Sequence, residues 1–381
     1  MKKRKIAYIS GTRADFGIMK SILKSVDVSP KLELQMYVTG IHLTPGFGST
    51  VNEVKKIFPG TKSIEAKFNN DGFSGVARFT GNFLTKLTET FIKNRPDFVL
   101  VLGDRSEELC VAMACLYLGI PTGHFRGGER TSAFDEIARH AITKMCSLHF
   151  ASTQESANRI EKMGEDRWRI HVVGEASLDI ILNQKLPTRK ELFVKLGFPS
   201  PSQFILLIQH SVSYELDRTK KQIKETLAAL KYLELPIIVI YPNADAGGRK
   251  IVKEIERERG NPLFHIYQNL PYEYFLALER EADVWVGNSS GAMVESSSFG
   301  TPVVNIGTRQ KNRQRGENVI DVDYKKNEII STVKKSLNPA YIARLKTLKN
   351  PWGDGKTGPR VAKILENLTI NSQLLNKQIS Y

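Results

Sequence analysis

Cysteine is scarce: three in 381 residues, Cys110, Cys115 and Cys146, with neither a CxxC nor a metal-ligand spacing among them. All three sit in apolar or helical context and read as buried free thiols rather than catalytic ones. A long apolar run is missing from the start of the chain. The basic stretch Lys2 to Lys5 leads only into IAYIS, too short for a signal-peptide core and far too short to span a membrane. A cytoplasmic protein without a membrane partner is expected. Neither half carries GxGxxG, which disfavours a nicotinamide-binding domain. No helix-turn-helix, zinc finger or ribonucleoprotein motif occurs. The net charge is nonetheless +15. Its lysines and arginines are spread out and mostly interleaved with acids, as in KKQIKETLAALK (Lys220 to Lys231), so nucleic acid is not an expected partner. A cleft holding a small phosphorylated substrate would gain from positive potential.

What is present is alternation. A hydrophobic content of 41% and a charged content of 25% are ordinary for a globular protein, and the length suits two domains. Strand-like KIAYIS (Lys5 to Ser10) precedes a turn and a helix through Met19 to Val26. Leu32 to Thr39 alternates as a strand, Phe79 to Asn94 is helical, and FVLVL (Phe98 to Leu102) is a continuous apolar run, as in a central parallel strand buried on both faces. Glu107 to Leu118, Pro121 to Phe125 and Phe134 to Met145 follow as helix, strand and helix. Leu182 to Ser202 breaks the pattern and reads as an interdomain connection. A second set then runs from Phe204 to Ile306, including a helix over Met293 to Phe299. The expected fold is α/β, two Rossmann-like doubly wound domains facing a cleft. Their expected bounds are 1–183 and 184–359, with a final helical segment in 360–381 packing back on the first.

Ionisable residues gather at predicted strand ends, where open α/β sheets bind ligands. HFRGGERTSAFDEIARH (His124 to His140) packs two glycines, three arginines and five acidic or histidine side chains into 17 residues. Within it, Asp135 and Arg139 share a helical face and could form an ordinary i,i+4 ion pair. Glu129, beside Gly127 and Gly128, is harder to explain that way, and clustered carboxylates suit proton transfer. Gly103-Asp104-Arg105 follows FVLVL; Asp104 is either functional or the N-cap of the next helix. Gly11-Thr12-Arg13 is either a phosphate-binding helix start or a plain turn. Gln209-His210-Ser211 ends the first strand of the second half. Gly287-Asn288-Ser289-Ser290-Gly291 reads equally as a phosphate cradle or a capped turn, with Glu295 one turn further on, placed to accept from ribose hydroxyls. Arg309, after the Val303 to Ile306 strand, is the one cation of the loop RQKNRQR that reads as more than solvated surface.

Together GTRADFG, VTGIHLTPGFG, LGDRSE, HFRGGERTSAFDEIARHAITK, YPNADAGG, GNSSGAMVESSSFGTPVVNIGTRQ and GENV resemble, in order and over nearly the whole chain, the hydrolysing UDP-N-acetylglucosamine 2-epimerases of sialic acid synthesis. The resemblance implies the GT-B arrangement, and cleavage of UDP-N-acetylglucosamine to N-acetylmannosamine and UDP through elimination to a glycal and rehydration. It implies no cofactor or metal, and a homodimer or homotetramer. By position, Asp104, Glu129 and Asp135 resemble the acid–base carboxylates and His210 the group beside the leaving diphosphate. Arg13, Ser289, Ser290 and Arg309 would hold phosphates, with Arg105 and Asn243 also contacting substrate and Glu295 the ribose. His42, His124, Arg139 and His140 would support the site. Two residues depart from the pattern. Arg126 stands where animal enzymes carry an acid, which would shift a proton-transfer role to Glu129. Ser211 replaces a proline after His210. A UDP-linked 2,4-diacetamido sugar or GDP-N-acetylglucosamine (the legionaminic acid route) remains an alternative substrate, and a GT-B glycosyltransferase an alternative activity.

Overall fold

The computed structural model describes residues 2–44, 50–66, 73–130, 135–212, 214–242 and 247–380. They form two units. Unit 1 takes the described parts of Met1–Glu129, Phe134–Ile180 and Trp352–Tyr381, and unit 2 is built on Ile181–Pro351.

Unit 1 is a seven-stranded parallel sheet. Its strands are β1 (Arg4–Ser10), β2 (Leu32–Val38), β3 (Lys62–Ser63), β4 (Phe98–Leu102), β5 (Thr122–Phe125), β6 (Leu148–Ala151) and β7 (Ile170–Val172), in the order β3-β2-β1-β4-β5-β6-β7. Helices α1 (Arg13–Asp27), α2 (Val51–Ile57), α3 (Phe73–Lys93), α4 (Ser106–Leu118), α5 (Asp135–Met145) and α6 (Gln154–Lys162) lie between them, and α7 (Ala176–Asn183) leads out. The apolar run Phe98 to Leu102 is buried on both sides because alternate residues serve two cores. Phe98, Leu100 and Leu102 pack with Met19, Ile22 and Leu23 of α1. Val99 and Val101 pack with Phe83, Leu87 and Phe91 of α3 and Cys110 and Cys115 of α4. Each large side chain so buried contributes about 1.5–3 kcal/mol. All three cysteines are free and buried.

Unit 2 repeats the plan with six parallel strands: β8 (Ile205–Ile208), β9 (Ile237–Ile240), β10 (Phe264–Tyr267), β11 (Val284–Gly287), β12 (Val303–Ile306) and β13 (Val319–Val322), ordered β10-β9-β8-β11-β12-β13. Its helices are α8 (Arg189–Leu196), α9 (Thr219–Tyr232), α10 (Gly248–Glu256), α11 (Tyr272–Glu281), α12 (Ser290–Val294), α13 (Ser296–Phe299), α14 (Lys326–Ser336) and α15 (Pro339–Leu345). The chain then returns to unit 1 with α16 (Thr357–Asn367) and α17 (Ser372–Leu375), whose Val361, Leu365 and Leu374 join the core around α1.

Three sequence expectations need correction. The stretch from Leu182 to Ser202 contains α8, which prolines on both sides concealed. Thr188 and Glu191 form a capping box, Gly197 closes the helix with φ +79°, and Leu192, Phe193 and Leu196 bury its apolar face. The helix expected over Met293 to Phe299 is two short pieces that meet at Glu295. The last helix begins before Pro359, which a first helical turn tolerates, and α16 and α17 are separate.

In each sheet the strand order reverses once, between β1 and β4 in unit 1 and between β8 and β11 in unit 2. Adjacent connections there leave on opposite faces, so a crevice opens beyond the carboxyl ends of the strands. The second switch point requires glycine, and at the first a glycine leaves room for a glutamate side chain. A Cβ on Gly11 would lie 2.6 Å from Glu107 Oε1, and one on Gly287, at φ +132°, would lie 1.9 Å from the Ile208 carbonyl oxygen.

Candidate active site

At the unit 1 switch point, β1 ends in Ser10 and Gly11, and Thr12 caps α1. Its Oγ1 accepts from the Asp15 amide, and Asp15 Oδ2 in return accepts from the Gly11 and Thr12 amides at 3.0 and 2.8 Å. Arg13, expected at phosphates, has its Nε 3.0 Å from Glu53 Oε2. His42 is buried between two hydroxyls, Nε2 2.8 Å from Ser10 Oγ and Nδ1 2.7 Å from Thr50 Oγ1. Burial pulls its pKa down to about 4, so the ring is neutral. Asp15 moves the other way: burial lifts it to about 6.

Beyond β4, Asp104 does not cap α4. The N-cap is Arg105, which makes no side-chain cap bond. Asp104 instead meets the guanidinium of Arg139, whose Nη1 also donates to the Glu129 carbonyl at 3.1 Å. Arg139 is nearly fully buried, so one side chain of α5 ties the loop after β4 to the loop after β5. His124 braces the same place. Its Nε2 is 2.7 Å from the Gly103 carbonyl, which can only accept, so that nitrogen carries the hydrogen. Nδ1 faces Thr143 Oγ1 at 3.1 Å, and burial drops the ring's pKa to about 3. Arg105 pairs with buried Glu107, 3.2 Å from Nη2 to Oε1. Glu108 is held beneath, its Oε2 accepting from the Leu102 amide at 3.2 Å, and burial raises its pKa well above the carboxylate range.

Glu129 is buried, and its Oε1 lies 3.2 Å from Ser152 Oγ. That hydroxyl is also 3.2 Å from Oε2 of Glu175, whose carboxylate is gripped by Arg126. Arg126 is one of three non-glycine residues described with positive φ, +60°. Of the sequence candidates, the structure thus gathers Asp104, Glu129, Arg139 and His124. His140 lies beside Glu136, at 3.5 Å. Asn243 and the side chain of Asp135 lie outside the described residues. Sequence reasoning missed Glu175 and Ser152, which stand 49 and 26 positions after Arg126; no local signal links them. It also missed Glu107 and Glu108, legible only as acids in a first helical turn.

At the unit 2 switch point, the Asn288 side chain clamps His210 both ways: Oδ1 accepts from the His210 amide at 2.7 Å and Nδ2 donates to its carbonyl at 3.0 Å. Arg309 Nη1 and Gln310 Nε2 both donate to the Asn288 carbonyl, at 3.2 and 3.1 Å. Arg309 is thereby held beside Ser289, the N-cap of α12, and Ser290. Glu295 is buried at the α12–α13 break. Asn318, from the motif GENV, fixes that break by donating to Ser296 Oγ and to the Thr301 carbonyl, each at 2.7 Å.

Two Rossmann-like α/β units, each with charged and amide groups at its switch point, define the GT-B-type class of protein. Across residues 24–366 the sequence matches the family described as UDP-N-acetylglucosamine 2-epimerase, and the chain belongs to that family of enzymes. It is 39% identical over 379 residues to the UDP-N,N'-diacetylbacillosamine 2-epimerase (hydrolyzing) of Legionella pneumophila, covering 99% of this chain and 100% of that one. It is 34% identical over 325 residues to the GDP/UDP-N,N'-diacetylbacillosamine 2-epimerase (hydrolyzing) of Campylobacter jejuni, covering 84% and 85%. The Neisseria meningitidis UDP-GlcNAc 2-epimerase, solved bound to UDP-GlcNAc, superposes with a TM-score of 0.78 at 20% identity, covering 95% and 99%, and attests the fold. Among the described residues no helix is long and apolar enough to cross a membrane.

Proposed function

We propose that this protein is a hydrolysing 2-epimerase that cleaves a UDP-linked 2-acetamido sugar, with a 2,4-diacetamido sugar of the diacetylbacillosamine type as its preferred substrate. The observation that carries the reading is the linked set of Asp104, buried Arg139 and buried Glu129 at the unit 1 switch point. A sugar transferase needs no such carboxylates. The substrate preference rests on the two diacetylbacillosamine-named relatives. A second reading, UDP-N-acetylglucosamine itself, draws on the family match.

The hydrogen on carbon 2 is not next to a carbonyl and is weakly acidic. Departure of UDP from carbon 1 builds oxocarbenium character that acidifies it. A carboxylate then takes the proton, leaving a glycal; water adds at carbon 1 and a proton returns to carbon 2 from the opposite face. Glu129 and Asp104 are assigned the proton transfers, with Asp135 as a third carboxylate. His210 is assigned to the leaving diphosphate, and Arg13, Arg309, Ser289 and Ser290 to its charge, with Arg105 nearby. Glu295 takes the ribose and Asn243 also contacts the nucleotide. His42, His124 and Arg139 hold loops in place.

Product analysis in deuterium oxide tests the reading. Either UDP-sugar, supplied without an acceptor, should give UDP and the free 2-epimeric sugar carrying deuterium at carbon 2, with the higher kcat/KM for the diacetamido substrate. Product without deuterium would rule out elimination.

A further inference from the structure

Glu279 is the one acid of the buried run Leu276, Ala277, Leu278, Glu279 on α11, and it is completely shielded from solvent. No donor among the described residues reaches either of its carboxyl oxygens. Such a group costs several kcal/mol when ionised in apolar surroundings, so its presence needs a reason. Its surroundings supply one. A Cβ built on Gly291 would lie 3.0 Å from Glu295 Oε2, 3.2 Å from the Trp285 ring and 3.4 Å from Glu279 Oε1. Both carboxyls therefore converge on the bare backbone of Gly291, which brings the charge of Glu295 to bear on Glu279. The buried Trp285 ring lies against the same glycine and is packed edge-on to Phe275. The Glu279 backbone is anchored separately, its carbonyl accepting from Thr301 Oγ1 at 2.9 Å.

Two facing carboxylates offer four acceptors and no donor, so an O–H···O bond between them requires one proton. Two carboxylates converging on one buried glycine disfavour ionising together. Burial, and then the charge of Glu295, push the Glu279 carboxyl well above the ordinary carboxylate range. Glu279 is thus the member that holds the proton, and Glu295 the acceptor.

We propose that Glu279 is a positioning residue for nucleotide recognition: its carboxyl O–H is donated to one oxygen of Glu295, which fixes the Glu295 side chain and presents its other oxygen to the ribose hydroxyls. The inference rests on the reading that Glu295 takes the ribose. It adds a proton-sharing pair in which the residue behind the ligand decides how well ribose is distinguished.

The test compares UDP with 2',3'-dideoxy-UDP by titration calorimetry in wild type, Glu279→Gln and Glu279→Met. Wild type should prefer UDP by about tenfold to a hundredfold, the usual worth of hydrogen bonds to a charged acceptor. Glu279→Gln keeps a donor in the same shape and should keep the preference. Glu279→Met removes the donor and should bind both nucleotides alike, with dideoxy affinity unchanged. A folded Glu279→Met protein with the wild-type preference overturns the inference and leaves the ribose reading standing. Equal binding of both nucleotides by wild type overturns the ribose reading and this inference with it. Infrared difference spectroscopy of wild type against Glu279→Gln gives a measure that needs no apolar variant. A protonated-carboxyl band at neutral pH, lost in Glu279→Gln, is expected, and its absence from wild type would refute the shared proton.

Discussion

Arg126 holds Glu175 by two parallel bonds, Nε to Oε2 at 3.0 Å and Nη2 to Oε1 at 2.6 Å, at the carboxyl ends of β5 and β7. Arg126 thus has a carboxylate of its own to neutralise. Through Ser152, equidistant from Glu175 Oε2 and Glu129 Oε1, the pair also touches a carboxylate assigned to proton transfer. Both partners are largely withdrawn from water, so removing one leaves the other uncompensated. Glu175→Gln should cost about 3 kcal/mol in urea unfolding, and the double change Arg126→Met with Glu175→Met should recover most of it. A Glu175→Gln protein as stable as wild type would show that the pair is not a structural unit.

The proton-transfer roles lead to a kinetic expectation. Glu129→Gln and Asp104→Asn should each lose a factor of about 100 to 10,000 in turnover while still binding UDP, since neither is assigned to phosphate. Near-normal turnover in Glu129→Gln would move the chemistry to another carboxylate, with Glu175 the next to test.

Arg309 is fixed at the start of α12 by its bond to the Asn288 carbonyl. If it also meets the diphosphate, Arg309→Ala should weaken UDP binding by about 1–3 kcal/mol, measured by calorimetry on folded protein. Unchanged affinity would remove it from the site.

His42 makes a prediction about pH. Its pKa is about 4 when folded against roughly 6.5 for a free histidine, so between these values the unfolded chain binds the extra proton. Its contribution to stability is therefore complete above about pH 6.5 and is lost as pH falls toward 4. A plot of unfolding free energy against pH should be steeper for wild type than for His42→Gln across that window, by roughly 1.4 kcal/mol per pH unit. Parallel curves would mean that burial leaves the ring's pKa unshifted.

Among the described residues no three His, Cys, Asp or Glu side chains come together as a metal site, and the positive groups assigned to the diphosphate are arginines and helix-start amides. Turnover should persist in excess chelator. Loss of activity, restored by one divalent ion, would overturn that assignment of charge.

Most of the strands were legible in the sequence, and with them where polar residues would cluster. FVLVL could be read as a doubly buried strand because every one of its five side chains is apolar, and Gly103-Asp104-Arg105 stood out only because it follows that run. Order along the chain also placed Gly11, Asp104, Glu129, His210 and Ser289 at strand ends, since a parallel sheet puts every strand-to-helix turn on one edge. Partnership was not legible. Arg139 looked like the mate of Asp135, one helical turn away, yet it reaches Asp104, 35 positions back, because β4 and β5 lie side by side. Arg126 meets Glu175 across 49 positions because β6 and β7 follow β5 in the sheet. Glu279 gives no signal of its own in the sequence, and only the packing of α11 against the α12–α13 break turns it inward toward Glu295. Periodicity reports which face of an element is buried. Which charges face one another depends on sheet order and on how far each strand extends, and only the tertiary structure fixes both.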